Sequence, residues 1–172
     1  HTTAGAGIDG MVNIPEVCYN LGLEFGKDVF FCNQYNQITS FGHEHMALTY
    51  QALDVHLLAS TGEGFGIPTL ESQACGTPVI VGDWTASPEL CFSGQLIPKD
   101  AADAWYTPMA AYQYRPRVRG IEIALEAEYK KPSPADRAIK GAQAFDVDLV
   151  TEQYWKPALD EIQGALNAEM AQ

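Results

Sequence analysis

The chain has 172 residues, 47% of them hydrophobic, and sets 22 acidic side chains against 10 basic ones for a net charge of −12. That apolar content excludes a disordered chain, and the acidic balance excludes a basic face for nucleic acid or an anionic membrane. The length predicts one domain with a sizeable core, no apolar run approaches the roughly 18 residues of a membrane-spanning helix, and any anionic ligand must be held by local backbone dipoles.

The chain starts at His1 without Met and shows no signal peptide, which reads as a fragment or a processed product. Gly5, Gly7 and Gly10 form a GxGxxG pattern. It lacks a preceding apolar strand, and Pro15 interrupts the helix it should open, so it reads as a flexible loop and not as a nicotinamide site. Asn13 is a helix cap with Pro15 in the first turn, predicting a helix to about Leu23 with Val17, Leu21 and Cys18 inward. Gly26-Lys27-Asp28 turns the chain and Val29 to Cys32 reads as a buried strand. His43-Glu44-His45 reads as a surface loop. Histidines at i and i+2 would diverge by about 200° on a helix, and no third metal ligand lies nearby. Met46 to Ala52 is a short helix leading into a strand from Val55 to Ala59.

The stretch Ser60-Thr61-Gly62-Glu63-Gly64-Phe65-Gly66-Ile67-Pro68 organises the chain. Ile67, Leu70 and Ala74 share a helical face, Pro68 suits the first helical turn, Gly76 stops the helix and Val79 to Val81 is a second strand. Strand, glycine loop, helix and strand make a βαβ unit. Glycines let the backbone approach a ligand, and free amides at a helix start attract an anion. Glu63 and Glu71 add hydroxyl acceptors, Glu71 leaning back because helical side chains tilt toward the N-terminus. A nucleotide sugar, with a diphosphate middle and hydroxyl-rich ends, satisfies both. Taken alone, the spacing also fits a solvated loop charge and a helix-start charge stabilised by about 0.3–1 kcal/mol.

Further along, Trp84 either covers a ligand or packs on the strand end, Ser87-Pro88-Glu89 opens a helix, and Gln95 to Pro98 is an edge strand. Ala101 to Ala111 holds an aromatic patch of Trp105 and Tyr106 with Met109. A helix from Arg117 to Tyr129 turns Val118, Ile121, Leu125 and Tyr129 to one face, and Arg115, Arg117 and Arg119 read as its solvated entrance. Ser133-Pro134-Ala135-Asp136 starts a helix to Phe145. A last helix, Asp148 to Met170, carries Tyr154, Trp155, Leu159 and Ile162 and bends near Pro157. The four cysteines lack metal spacing and read as reduced thiols of a cytosol-like compartment.

Glu63-Gly64-Phe65-Gly66-Ile67-Pro68-Thr69-Leu70-Glu71, then Ala74-Cys75-Gly76-Thr77-Pro78-Val79 and Ser87-Pro88-Glu89-Leu90, resemble the donor-binding signature of GT-B retaining glycosyltransferases of the family 4 type. The resemblance is clear from about Leu48 to Ile97, with His56, Thr61 and Trp84 as departures. It implies an α/β fold: a Rossmann-like open parallel sheet flanked by helices, one half of a GT-B fold truncated at its N-terminus. Residues 1–172 would form a single nucleotide-sugar-binding domain, and 146–172 a C-terminal helix crossing to a missing N-terminal acceptor domain. It implies that the amides of Gly64, Phe65, Gly66 and Ile67 meet the donor's diphosphate and sugar, that Glu63 is the catalytic residue accepting hexose hydroxyls, and that Glu71 takes the ribose hydroxyls. Tyr35, in a polar loop from Asn33 to Gln37, would either stack on the base or stay on the surface.

The donor would be a UDP- or GDP-hexose, the acceptor an unidentified carbohydrate or lipid-linked molecule. No cofactor and no obligatory metal are implied. The Arg and Lys that the family supplies for the diphosphate would precede residue 1, so the chain alone is expected to bind donor weakly and to turn over little. Open alternatives are a non-catalytic nucleotide-binding or assembly module, and a nucleotide-sugar 2-epimerase or phosphorylase of the same architecture.

Overall fold

The computed structural model describes residues 13–31, 35, 39–131 and 135–170. The glycine pattern at residues 5–10, Cys32, most of the loop from 33 to 37, and residues 133 and 134 lie outside the described residues. The chain divides into two compact units, His1–Met46 and Ala47–Gln172.

In the first unit, Asn13 caps α1 (Ile14–Asn20) by accepting from the Glu16 amide, with Pro15 in the first turn as expected. The helix stops short of Leu23 at a left-handed Gly22, φ 72°. Of the three side chains expected inside, only Cys18 is buried; Val17 and Leu21 are exposed. The strand expected from Val29 does not form among the described residues. Its pairing is a single parallel bridge between Phe25 and Val29, and Phe30 is 76% exposed. An apolar run of strand length needs a neighbouring ladder to spend its backbone groups on, and no described segment supplies one. The next helix, α2 (His43–Gln51), begins three residues before the predicted Met46, so His43 and His45 sit on its first turn and not on a loop.

The second unit carries the predicted βαβ. β1 (His56–Leu58), α3 (Ile67–Ala74), β2 (Val79–Gly82), α4 (Ser87–Leu90) and β3 (Gly94–Ile97) follow one another. The strands form a three-stranded parallel sheet in the order β1-β2-β3, with His56 opposite Val79 and Val79 opposite Gly94. Val79, Ile80 and Val81 have no exposed surface, as the uninterrupted apolar run of a central parallel strand requires. The core joins Ile80, Trp84, Ile97 and Ala124, with Val55, Ala59, Tyr114 and Ile121 packed against it. Gly94 is needed where it stands: at φ 125°, a Cβ there would lie 1.8 Å from the Val79 carbonyl oxygen.

Residues 104–114 fold into an antiparallel hairpin of β4 (Ala104–Tyr106) and β5 (Tyr112–Tyr114), where the sequence suggested only an aromatic patch. α5 (Val118–Glu128) packs on β3, but Val118 is 82% exposed and Ala124 is the buried residue. The inward stripe is Gly120, Ile121 and Ala124, because small residues let the helix approach the sheet; a Cβ on Gly120 would already come within 3.1 Å of Ile97. α6 (Ala135–Gln143) lies on α3. After α7 (Val147–Val150), Thr151–Trp155 form a π-helical turn that passes into α8 (Lys156–Met170). That widened turn precedes Pro157, whose missing N–H and bulky ring disturb the preceding turn, so the predicted bend takes the form of a change of helical register. Tyr154, Trp155, Leu159 and Ile162 are exposed.

Candidate functional site

The parallel strands aim their carboxyl ends at the loop that follows β1. Gly66 ends that loop as the cap of α3 in a left-handed conformation, φ 103°, with no side-chain cap. Its carbonyl accepts from the amides of Thr69 at 3.0 Å and Leu70 at 3.4 Å, and Pro68 brings no N–H. The amides of Gly64, Phe65, Gly66 and Ile67 donate to no acceptor among the described residues. Free amides at a helix start are the kind of group that attracts anions in general. The two inner glycines serve the loop differently. Gly66 is required by its backbone angle, whereas a Cβ on Gly64 would meet nothing within 4 Å, so the missing side chain there leaves the loop open to a ligand.

Glu63 is half-buried, and its amide donates to Thr85 Oγ1 at 3.0 Å. Its carboxylate has no partner among the described residues. Thr85 follows β2 and holds φ at 54°, unusual for a β-branched residue. Its hydroxyl accepts from Glu63 and donates to the Trp84 carbonyl at 2.8 Å, which spans the ends of β1 and β2. Trp84 packs and does not cover a ligand: it is buried, donates from Nε1 to the Ser60 carbonyl at 3.2 Å and stacks on Tyr114 at 5.8 Å.

Glu71, on the second turn of α3, accepts from the Tyr50 hydroxyl at 3.1 Å. Burial, then the hydrogen bond to this carboxylate, pushes the Tyr50 phenol up to about 12, so it stays a donor. The Tyr50 ring lies 5.3 Å from that of His56. Burial holds the His56 imidazole below its usual range against the opposite pull of Glu71, and its Nδ1 is buried without a partner. Glu71 also lines a cavity of about 300 Å³ with Leu70 and Phe145, and Phe145 meets Phe65 of the loop edge-on at 5.9 Å. Ile67 is exposed.

Three residues that hold this arrangement escaped the sequence reading: Tyr50, Thr85 and Gln73. Gln73 is fully buried, donates to the carbonyls of Thr69 and Leu90 and accepts from the amides of Phe92 and Ser93. It ties α3 to the turn before β3, and the available signal was a long amide on the inward stripe of a helix. Arg117 and Arg119 are engaged by acids: Arg117 by Asp100 and Asp103, Arg119 by Glu122. Among the described residues no helix is long and apolar enough to cross a membrane.

The family model described as glycosyl transferases group 1 matches residues 23–111, the span that includes β1, the glycine loop, α3 and β2. The chain belongs to that family. Among the relatives of this group 1 glycosyltransferase chain is a D-inositol 3-phosphate glycosyltransferase of Mycolicibacterium gilvum. It is 36% identical over 120 residues, 68% of this chain and 25% of the relative. The enzyme of the same name in Saccharomonospora viridis is 32% identical over 114 residues, 62% of this chain and 25% of that protein. The UDP-N-acetylglucosamine–peptide N-acetylglucosaminyltransferase GtfA subunit of Streptococcus agalactiae is 31% identical over 101 residues, 52% of this chain and 20% of that subunit. The chain thus spans about a quarter of the length of the curated relatives it matches.

Proposed function

We propose that this chain is the donor-binding, C-terminal half of a retaining GT-B glycosyltransferase of the family 4 type, which moves a hexose from a nucleotide sugar to an acceptor. The observation that carries this reading is the row of unspent amides from Gly64 to Ile67 at the carboxyl end of β1. The diphosphate sits on those amides, which stabilise the charge that grows on it as the sugar leaves. Glu63, with its unpaired carboxylate, receives hexose hydroxyls. Glu71, steadied by Tyr50, receives the ribose hydroxyls. No cofactor and no obligatory metal enter this scheme.

The relatives lend support from another side. Their names point to different acceptors, an inositol phosphate and a peptide, while the family match over residues 23–111 includes this loop; a donor-binding role suits a segment common to the family. The acceptor side belongs to another part of the enzyme, and the exposed stripe of Trp155, at the end of the π-helical turn, with Leu159 and Ile162 on α8 is the face assigned to it. The free thiols of Cys18, Cys75 and Cys91 support a cytosol-like compartment. The chain by itself is expected to bind donor weakly and to transfer little or nothing.

A panel of nucleotide sugars titrated into the chain and followed by ligand-observed NMR tests this reading. Saturation transfer to a UDP- or GDP-hexose, lost on Glu71→Gln, is expected. Equal signals for every nucleotide and for inorganic phosphate, unaffected by Glu71→Gln, would overturn it.

A further inference from the structure

The hairpin of β4 and β5 is built against the glycine loop. The Tyr114 amide donates to the Thr61 carbonyl at 3.0 Å. A Cβ on Gly62 would lie 3.1 Å from Gln113 Cγ and 3.4 Å from its Nε2, so it is the bare backbone at residue 62 that lets the Gln113 amide lie along the loop. The turn is braced by Thr107, whose amide and hydroxyl both donate to the Ala111 carbonyl. The hairpin is a fixed wall of the loop.

Its two faces differ. Cross-strand partners share a face and alternate along each strand. Ala104 pairs with Tyr114 and Tyr106 with Tyr112, while Trp105 pairs with Gln113. The first face turns Tyr114 into the core against Trp84. The second face is the one that meets Gly62. It holds an indole that is 37% exposed beside a side-chain amide with no hydrogen-bond partner among the described residues. The amide offers both donors and an acceptor. A flat aromatic face beside an unspent amide matches a neutral hydroxyl-rich ring, which presents C–H groups to the indole and alcohols to the amide.

We propose that the face carrying Trp105 and Gln113 binds the hexose ring of the donor. This rests on the reading of the loop as the diphosphate site. Successive Cα atoms are 3.8 Å apart, which puts Gly62 within about 8 Å of the Gly64 backbone. That is the reach of a single ring joined directly to the diphosphate. The nucleoside leaves the diphosphate at its other end, toward Glu71. The hexose therefore lies between Glu63 and the hairpin, and Gln113 reads its hydroxyls from the side opposite Glu63.

Saturation-transfer NMR on the full chain with UDP-glucose and GDP-mannose, each beside its sugar-free diphosphate, tests this with an internal standard. In Trp105→Ala and in Gln113→Ala, transfer to the hexose protons should fall about three- to tenfold relative to the ribose protons. The ribose and base signals should persist and report that the chain is folded, and Trp105→Phe should restore part of the loss. An unchanged hexose-to-ribose ratio in both alanine variants would overturn the subsite and leave the loop reading intact. Substitutions that weaken only the binding of a free methyl hexopyranoside would overturn the subsite as well. Absence of all nucleotide signal from the unaltered chain would remove the loop reading and the subsite together.

Discussion

At the amino end of the parallel sheet a cavity of about 750 Å³ opens beside Leu53, Val55, Thr77, Leu125 and Tyr129; its shielded polar side chains are answered, while Gln51, Asp54 and Glu126 on it are exposed to solvent. The Thr77 hydroxyl donates to the Tyr50 carbonyl at 2.7 Å. Glu128, with a side chain only 5% exposed, accepts from Gln95 at 2.6 Å and Lys131 at 2.9 Å. At the carboxyl end four amides, the Glu63 carboxylate and the Gln113 amide are left unanswered among the described residues, and the smaller hollow beside Glu71, about 300 Å³, lies between α3 and α6. Void volume measures how well a region packs. A row of unspent backbone amides at a helix start is what suits an anion, and in this chain that row and the larger void lie at opposite ends of the strands.

The sharpest way to break the comparison is at Gly66. Gly66→Val forces a β-branched residue to φ 103° and should cost on the order of 1–3 kcal/mol in denaturant unfolding together with nucleotide binding. Gly64→Ala, where a Cβ has open space, should change stability by less than about 0.5 kcal/mol and still weaken nucleotide binding. Equal effects of both substitutions on stability would show that the loop is only structural.

The amino end should respond in the opposite sense. Gln95→Ala leaves the shielded Glu128 carboxylate with one partner fewer and should destabilise the fold by roughly 1.5–3 kcal/mol, with nucleotide affinity unchanged when measured by NMR titration. A loss of affinity there would blur the distinction between the two ends.

The glutamates sharpen it further. Glu71→Gln should weaken nucleotide binding about tenfold, the worth of one hydrogen bond to a charged group. Glu63→Gln, tested within an active glycosyltransferase that carries this chain, should leave nucleotide binding in place and lower transfer by about 10²-fold. Unchanged kinetics in both variants would remove the site assignment.

The smallest effect is at His56. Its imidazole is held below the usual range by burial, so the folded chain resists a proton that the unfolded chain accepts. The stability this provides is complete above about pH 6.5 and is lost as the pH falls below it. Urea midpoints across pH 5–7.5 should show this slope, and His56→Phe should flatten it. An unaltered slope in that variant would mean that His56 titrates normally in the fold.

How much of this was legible in the sequence depends on where the information lies. The βαβ unit was readable because its signals are local: Gly66 and Pro68 at the helix start, Gly76 at its end and apolar runs on both sides. The loop was readable for the same reason. The hairpin was not. Its strands are three residues each, its turn lacks the Asn-Gly or Asp-Gly signature, and it is held by a distant partner, Thr61. The inward face of α5 was misjudged because Gly120 and Ala124 carry little hydrophobic signal although they govern the closest approach. Gln73 and Thr85 were missed because a buried amide that satisfies every valence, and a hydroxyl bridging two strand ends, acquire their roles only when the chain has folded.

The central claim is that a nucleoside diphosphate binds on the amides of the glycine loop. Protein-observed ¹⁵N–¹H NMR of the chain titrated with UDP and with GDP measures this at each amide. The resonances of Gly64, Phe65, Gly66 and Ile67 should move most, with those of Thr77 and Leu125 at the other end of the sheet unmoved. Shifts concentrated around the larger cavity, with the loop amides still, would contradict it.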